Sequence, residues 1–265
     1  SMSQRAAILG CGAGSTAGVG VERFWNCVRE AKPGVFSHRL LYGNEPGPCD
    51  SPDFENTRYV RVPAPRFELW NCAHEWLGNA IEQAVAQAGV NLCDQRVALF
   101  VGSSLGGMPL YEILHRGGDA AAIDPGFARY SGPATRLASR FSNGAWTINT
   151  ACSSGANAMG LARRFLFSNR IDLAVVAGVD VISPFVSAGF ACLNAIDPDA
   201  SAPFCAGRRG LNLGEAAIAF VLARESKRPT IDVIGFGSSC DAHHLTRPDL
   251  SGGGLLRAIQ RSIED

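Results

Sequence analysis

The sequence predicts an α/β protein in which a mainly parallel sheet carries helices on its faces. Residues 96–102 and 172–178 are short, near-continuous apolar runs, the pattern of strands covered on both sides. Residues 67–87 and 153–168 place apolar side chains at helical spacing, so strands and helices alternate through the middle of the chain. That alternation favours a parallel sheet with helical crossovers. Thirty of the 265 residues are glycine, above the average of about 7%, which suits a fold with many tight turns.

Residues 6–9 read as the first strand, running into the glycine-rich turn Gly10-Cys11-Gly12-Ala13-Gly14. Ser15 stands where a dinucleotide-binding fingerprint needs its third glycine, so that motif fails and a tight turn is expected. Residues 21–31 form a short helix. Residues 32–65, rich in Pro, Gly and Asn, read as a long surface excursion and a candidate interaction segment. Arg58, Arg61 and Arg66 near its end are either a docking contribution or a solvated face. The helix over 67–87 buries Trp76, Leu77, Ala80, Ile81 and Ala84 and stops at Gly89, a C-cap signal. Strand 96–102 follows, then a helix over 130–141, and residues 145–149 lead into the next helix. After strand 172–178, residues 216–222 and 231–235 read as an antiparallel pair, and residues 254–263 as a last helix.

Twenty-four basic and 24 acidic side chains cancel. Global charge therefore gives no reason to expect nucleic acid or a membrane surface as partner. No apolar run reaches the ~20 residues of a membrane span, and no secretory signal is recognised. The nine cysteines form no C-x-x-C pair, so no zinc or dithiol motif is present. Most are expected to be buried thiols in a reduced, cytoplasmic protein that uses no cofactor.

Cys152 is the chemically informative cysteine. It lies between the strand ending near Asn149 and the helix beginning near Ser153. Unpaired N–H groups and the positive dipole end at a helix N-terminus favour thiolate over thiol, as a nucleophilic cysteine requires. A small buried core cysteine is the alternative reading.

Asn149-Thr150-Ala151-Cys152-Ser153-Ser154-Gly155 resembles the active-site signature of the β-ketoacyl synthases, the condensing enzymes of fatty-acid and polyketide synthesis. Three more blocks are similar to that family's, and all four keep its order. They are Gly102-Ser103-Ser104-Leu105-Gly106-Gly107, the segment from Pro203 to Ala216, and Asp241-Ala242-His243-His244-Leu245-Thr246-Arg247-Pro248. The resemblance implies a thiolase-like, layered α-β-α architecture with a mixed, mainly parallel five-stranded sheet. It implies decarboxylative condensation of an acyl thioester with malonyl carrier protein through an acyl group on Cys152. Acyl carrier protein is the implied partner, and a homodimer formed by pairing strands near the nucleophile turn is the implied assembly. Leu105 matches a position lining the acyl pocket, or is an ordinary core leucine. Phe190 matches a residue at the acyl channel. Asp241, His244 and Thr246 match positions near the active site. Glu215 and Arg208 fall in a structural block and are expected to be buried polar groups with partners.

Residues 1–250 correspond to the family's N-terminal domain and 251–265 to the start of its C-terminal half. The family's His-Gly-Thr-Gly-Thr block, which carries a catalytic histidine, does not occur in the sequence. This chain alone is therefore expected not to condense. Cys205 and Arg209 stand where the family usually has aspartate, Ala216 where glycine is usual, and His243 where tyrosine is common. These departures mark a divergent member.

Two further readings compete. Gly102-Ser103-Ser104-Leu105-Gly106 also fits the G-x-S-x-G pattern of serine hydrolases, with Asp241 and His244 downstream. A non-catalytic chain-length partner subunit is the other, although such a subunit has no need of a thiol at position 152.

Overall fold

The computed structural model describes the chain except for residues 1–4, 16–17, 31–34, 38–57, 61–68, 94, 116–125, 198–200, 229–230 and 245–246. Arg61, Arg66 and Thr246 therefore lie outside the described residues. Strands β1 (Ala6–Ser15), β5 (Val97–Gly102), β6 (Ala145–Ile148), β7 (Leu173–Asp180) and β9 (Ala216–Ala223) form the expected five-stranded sheet in the order β1-β9-β7-β5-β6. β5 pairs in parallel with both β6 and β7, while β9 runs antiparallel to β7 and to β1. Four of the five strands thus point the same way. β2 (Gly18–Val19) and β10 (Ile231–Val233) add to β1, both antiparallel.

The alternation of β5 and β7 divides their side chains between two layers. Val97, Leu99, Val101, Leu173, Val175 and Ala177 pack against Leu77, Ala80, Ile81 and Ala84 of helix α2 (Leu69–Ala88). Ala98, Phe100, Ala174 and Val176 face Ala158, Ala162 and Leu166 of helix α5 (Ser154–Phe167) on the other side. All six residues of β5 are buried, which is why that strand reads as an unbroken apolar run. α2 ends as expected at Gly89, where φ is +66° and the amide donates to Val85 O.

Several expectations need correction. The glycines after residue 9 are not a turn, because β1 continues to Ser15. A Cβ on Gly10 would lie 2.7 Å from Ala88 N and still nearer Ala84 O, and one on Gly12 would strike Ala80 O. These glycines let α2 lie directly on the strand. Its side chains then reach the backbone: Gln87 Oε1 accepts from Cys11 N at 2.6 Å, and Gln83 Oε1 accepts from Ala13 N at 3.4 Å. β10 pairs with β1 only over Ala6–Ile8, so the two glutamines serve the amides beyond it.

The helix expected over 130–141 is broken into α4 (Gly132–Thr135) and a 3₁₀ turn (Ala138–Arg140). Thr147 Oγ1 of β6 donates to Ser131 O at 3.1 Å and receives Ala134 N at 3.3 Å, which ties the first turn of α4 to the sheet. The next bonds are then of the tighter i→i+3 kind, such as Phe141 N to Ala138 O. β9 and β10 are not a hairpin pair, because β1 lies between them. The excursion over 32–65 contains two short strands, β3 (Val35–Ser37) and β4 (Arg58–Val60), which join β8 (Leu213–Gly214) in a small second sheet. The described cysteines are not buried either. Five are exposed, and Cys11 and Cys27 are half-exposed. Cys93, Cys205 and Cys240 lie in irregular segments and Cys192 ends a helix, so no layer covers them.

Helices α1 (Val21–Arg29), α3 (Met108–His115), α6 (Pro184–Cys192) and α7 (Gly253–Glu264) complete the described elements. α7 folds back on the segment after β10, where a Cβ on Gly237 would meet Ser262 N at 2.7 Å. Its Leu255, Leu256, Ile259 and Ile263 are exposed.

Candidate active site

β5 and β6 run side by side and end together, and each passes into a turn at that end. From β6 the chain goes through Asn149, Thr150 and Ala151 to Cys152, with Ser153 as N-cap of α5. Ala151 holds φ at 53°, a left-handed conformation that costs a non-glycine residue about 1–2 kcal/mol. Its neighbours compensate. Ser154 Oγ, almost fully buried, donates to Ala151 O at 2.6 Å and accepts from Thr150 N at 2.9 Å. Asn149 Oδ1 accepts from Ala151 N at 3.3 Å, and Asn157 Nδ2 reaches Thr150 Oγ1 at 2.9 Å. Cys152 itself is exposed. The turn thus presents a thiol outward at the start of a 14-residue helix, where backbone N–H groups lack helical partners.

Gly102 ends β5 beside that helix start. A Cβ there would lie 2.5 Å from Gly155 N and 2.6 Å from Ser154 C. Glycine is what allows the Cys152 turn to sit against the strand end. The following Ser103-Ser104-Leu105 turn is gathered by Asp180, the last residue of β7. Asp180 Oδ1 accepts from Ser103 Oγ and Ser104 N, both at 2.9 Å, and from Leu105 N at 3.3 Å. Asn149 Nδ2 donates to Ser104 O at 3.0 Å, tying the two turns together. The structure therefore brings Cys152 and the Leu105 turn into one unit. Leu105 is half-buried there.

Phe190, also half-buried, lies on α6 and packs with Ile182, Val186, Ile196 and Leu213. Asp241 and His244 lie in a separate concavity with Ser239, Cys240, His243, Gly254, Leu255 and Ala258. Asp241 Oδ2 accepts from Asp249 N at 3.1 Å, and the carboxylate presses on Gly254 at the start of α7. His244 Nδ1 accepts from Arg247 N at 3.1 Å. The carboxylate at the Ser104 turn is thus Asp180, while Asp241 serves α7. Glu215 is buried as expected and accepts from Ile182 N at 2.9 Å. Arg208 is exposed, contrary to expectation, because its guanidinium turns back to Cys205 O of its own loop at 3.0 Å.

Sequence reasoning missed Asp180. The signal was available: one acid closes an otherwise apolar strand at the end where both turns gather. The resolved charge effects lie away from these turns. The Arg96 guanidinium hydrogen-bonds Asp172 and holds its carboxyl below the usual range, and Arg96 is raised in return. Asp249 is lowered by its bonds from Ser251. Among the described residues no group of three His, Cys, Asp or Glu side chains could hold a metal, and no helix is long and apolar enough to cross a membrane.

The chain as a whole has relatives among known proteins. A 3-oxoacyl-[acyl-carrier-protein] synthase 2 of Coxiella burnetii is 32% identical over 64% of this chain and 46% of its own length. A putative polyketide beta-ketoacyl synthase of Streptomyces cyaneus is 28% identical over 99% of this chain and 70% of its own. The chain spans about half the length of several of the curated synthases it matches. Among solved structures, the ishigamide ketosynthase/chain length factor superposes with a TM-score of 0.77 at 26% identity, covering 99% of this chain and 70% of that one. A ketosynthase from Xenorhabdus doucetiae, solved with its chain length factor, gives a TM-score of 0.81 at 24% identity over 98% of this chain and 68% of its own. With residues 3–228 matching the N-terminal domain of the beta-ketoacyl synthases, the chain belongs to that family and has its thiolase-like fold.

Proposed function

We propose that Cys152 is the acyl-accepting nucleophile of a condensing enzyme of fatty-acid or polyketide synthesis. Its thiolate attacks the carbonyl of an acyl thioester and expels the carrier's phosphopantetheine thiol, leaving an acyl-cysteine. Malonyl carrier protein then loses carbon dioxide, and the resulting carbanion attacks the acyl carbonyl and releases the Cys152 thiolate. The observation that carries this reading is an exposed thiol on a strained strand-to-helix turn held by buried hydrogen bonds.

In this reading Leu105 and Phe190 line the acyl chain, while Asp241 and His244, in their separate concavity, are assigned no part at the thioester. Acyl carrier protein is the partner in the cytoplasm. β6 is the terminal strand of the sheet, which supports a homodimer paired through that strand.

The test is intact mass after incubation with an acyl thioester or an epoxide inhibitor of condensing enzymes, for the parent and Cys152→Ala. One adduct on the parent and none on the variant is expected. Labelling spread over the exposed cysteines, or an adduct on Ser104, would overturn the assignment. Absence of any adduct on folded parent would favour the non-catalytic partner-subunit reading for this chain.

A further inference from the structure

One carboxylate joins the turn that bears Leu105 to the helix that bears Phe190. α3 grows directly out of that turn, with Met108 N donating to Leu105 O at 3.1 Å and Leu110 N to Gly107 O at 3.0 Å. Glu112 lies one turn along α3 and is half-buried. Its Oε1 accepts from Ser183 Oγ at 3.1 Å and from Phe185 N at 2.7 Å. Ser183 is the N-cap of α6, and its Oγ also accepts from Val186 N at 3.3 Å. A carboxylate on the first amides of a helix is favoured by the dipole and forms charge-assisted bonds. The same segment is held from behind by Ile182 N on Glu215 and by the Asp180 contacts to the Leu105 turn. α6 therefore has a firm base, and Glu112 fixes its N-terminal end relative to α3. Phe190 lies on the same short helix, packed against Ile182 and Leu213.

We infer that Glu112 is a positioning residue that sets the spacing between Leu105 and Phe190, and through it the acyl lengths Cys152 accepts. This rests on the reading of Cys152, Leu105 and Phe190 given above. Without the Glu112 bridge the N-terminal turn of α6 is free to shift against α3, and the spacing is no longer fixed. Glu112 touches neither the thiol nor the acyl group in this role.

The experiment is a competition between a short-chain and a long-chain acyl thioester, read as the ratio of the two Cys152 adducts by intact mass. Glu112→Ala should change the ratio by about tenfold or more, as expected when a pocket gains or loses room for a methylene. Glu112→Gln keeps an acceptor at the same reach and should retain the parent ratio. Ser183→Ala should shift the ratio in the same direction as Glu112→Ala, by less. A purely structural role lowers the melting temperature and total labelling but leaves the ratio alone; an unchanged ratio in Glu112→Ala overturns the proposal. If that variant does not fold, an unchanged ratio in Ser183→Ala overturns it instead. An unlabelled parent is a different result, since the reading of Cys152 itself then falls.

Discussion

The two ends of β5 and β7 use the same device in different surroundings. At the entering end, Asp172 accepts from Arg96 N and Nε and pairs with its Nη2 at 2.7 Å, while Arg96 and Arg224 both reach Asn169. Both partners are substantially exposed. At the leaving end, Asp180 gathers a hydroxyl and two backbone amides in a partly buried site. Each aspartate bridges two neighbouring strands. One meets a solvated guanidinium, where water and salt weaken the pair. The other meets a hydroxyl and amides that are partly shielded from water, where losing the acceptor costs more. The same residue type therefore trims one end of the sheet and shapes the Leu105 turn at the other.

That contrast can be broken from either side. Gly102→Val should have the largest effect, about 3 kcal/mol or more, because its side chain would enter the start of α5. Thermal melting checks the cost, and the rate of Cys152 alkylation should fall with it. Asp180→Ala should cost about 2 kcal/mol by stripping a charged acceptor from amides of the Leu105 turn, and should also slow alkylation. Ser154→Ala should cost about 1 kcal/mol, since Thr150 N loses its acceptor; alkylation kinetics would again report the altered turn.

Asp172→Asn should have the smallest effect and leave alkylation unchanged. Arg96 holds the folded Asp172 carboxyl below its ordinary value. Its stabilising contribution is therefore complete above the unfolded value near ~4 and is lost as pH falls through the folded one. Parent and Asp172→Asn should differ in melting temperature at pH 7, with the difference shrinking only as pH falls from about 4 towards and through the folded value. A slowed alkylation rate in Asp172→Asn would erase the distinction between the two ends.

The buried strands and the helix that follows Cys152 were legible because their side chains repeat with the period of the layer they face. Cys152 was legible because it punctuates such a change of period. The extension of β1 through Gly10 and Gly12 was not, since glycine there serves a helix some 70 residues away in the chain rather than a local bend. The tie that holds the first turn of α4 was hidden for the same reason: it comes from Thr147, on a different strand. The roles of Asp180 and Glu112 depend on which loops meet in space, and no spacing along the chain announces that. The place of β1 between β9 and β10 is likewise a matter of sheet order, which two strand-like runs separated by a loop do not reveal.

Gln83 and Gln87 have a consequence for how this protein can change over generations. They occupy the amides of Ala13 and Cys11 only because Gly10 and Gly12 bring α2 near enough. A larger residue at either glycine would lift the helix and strand both glutamines at once. A shorter residue at either glutamine would leave a strand margin open to another chain. The four positions are expected to vary as a set, so that drift at one is tolerated only when the others follow.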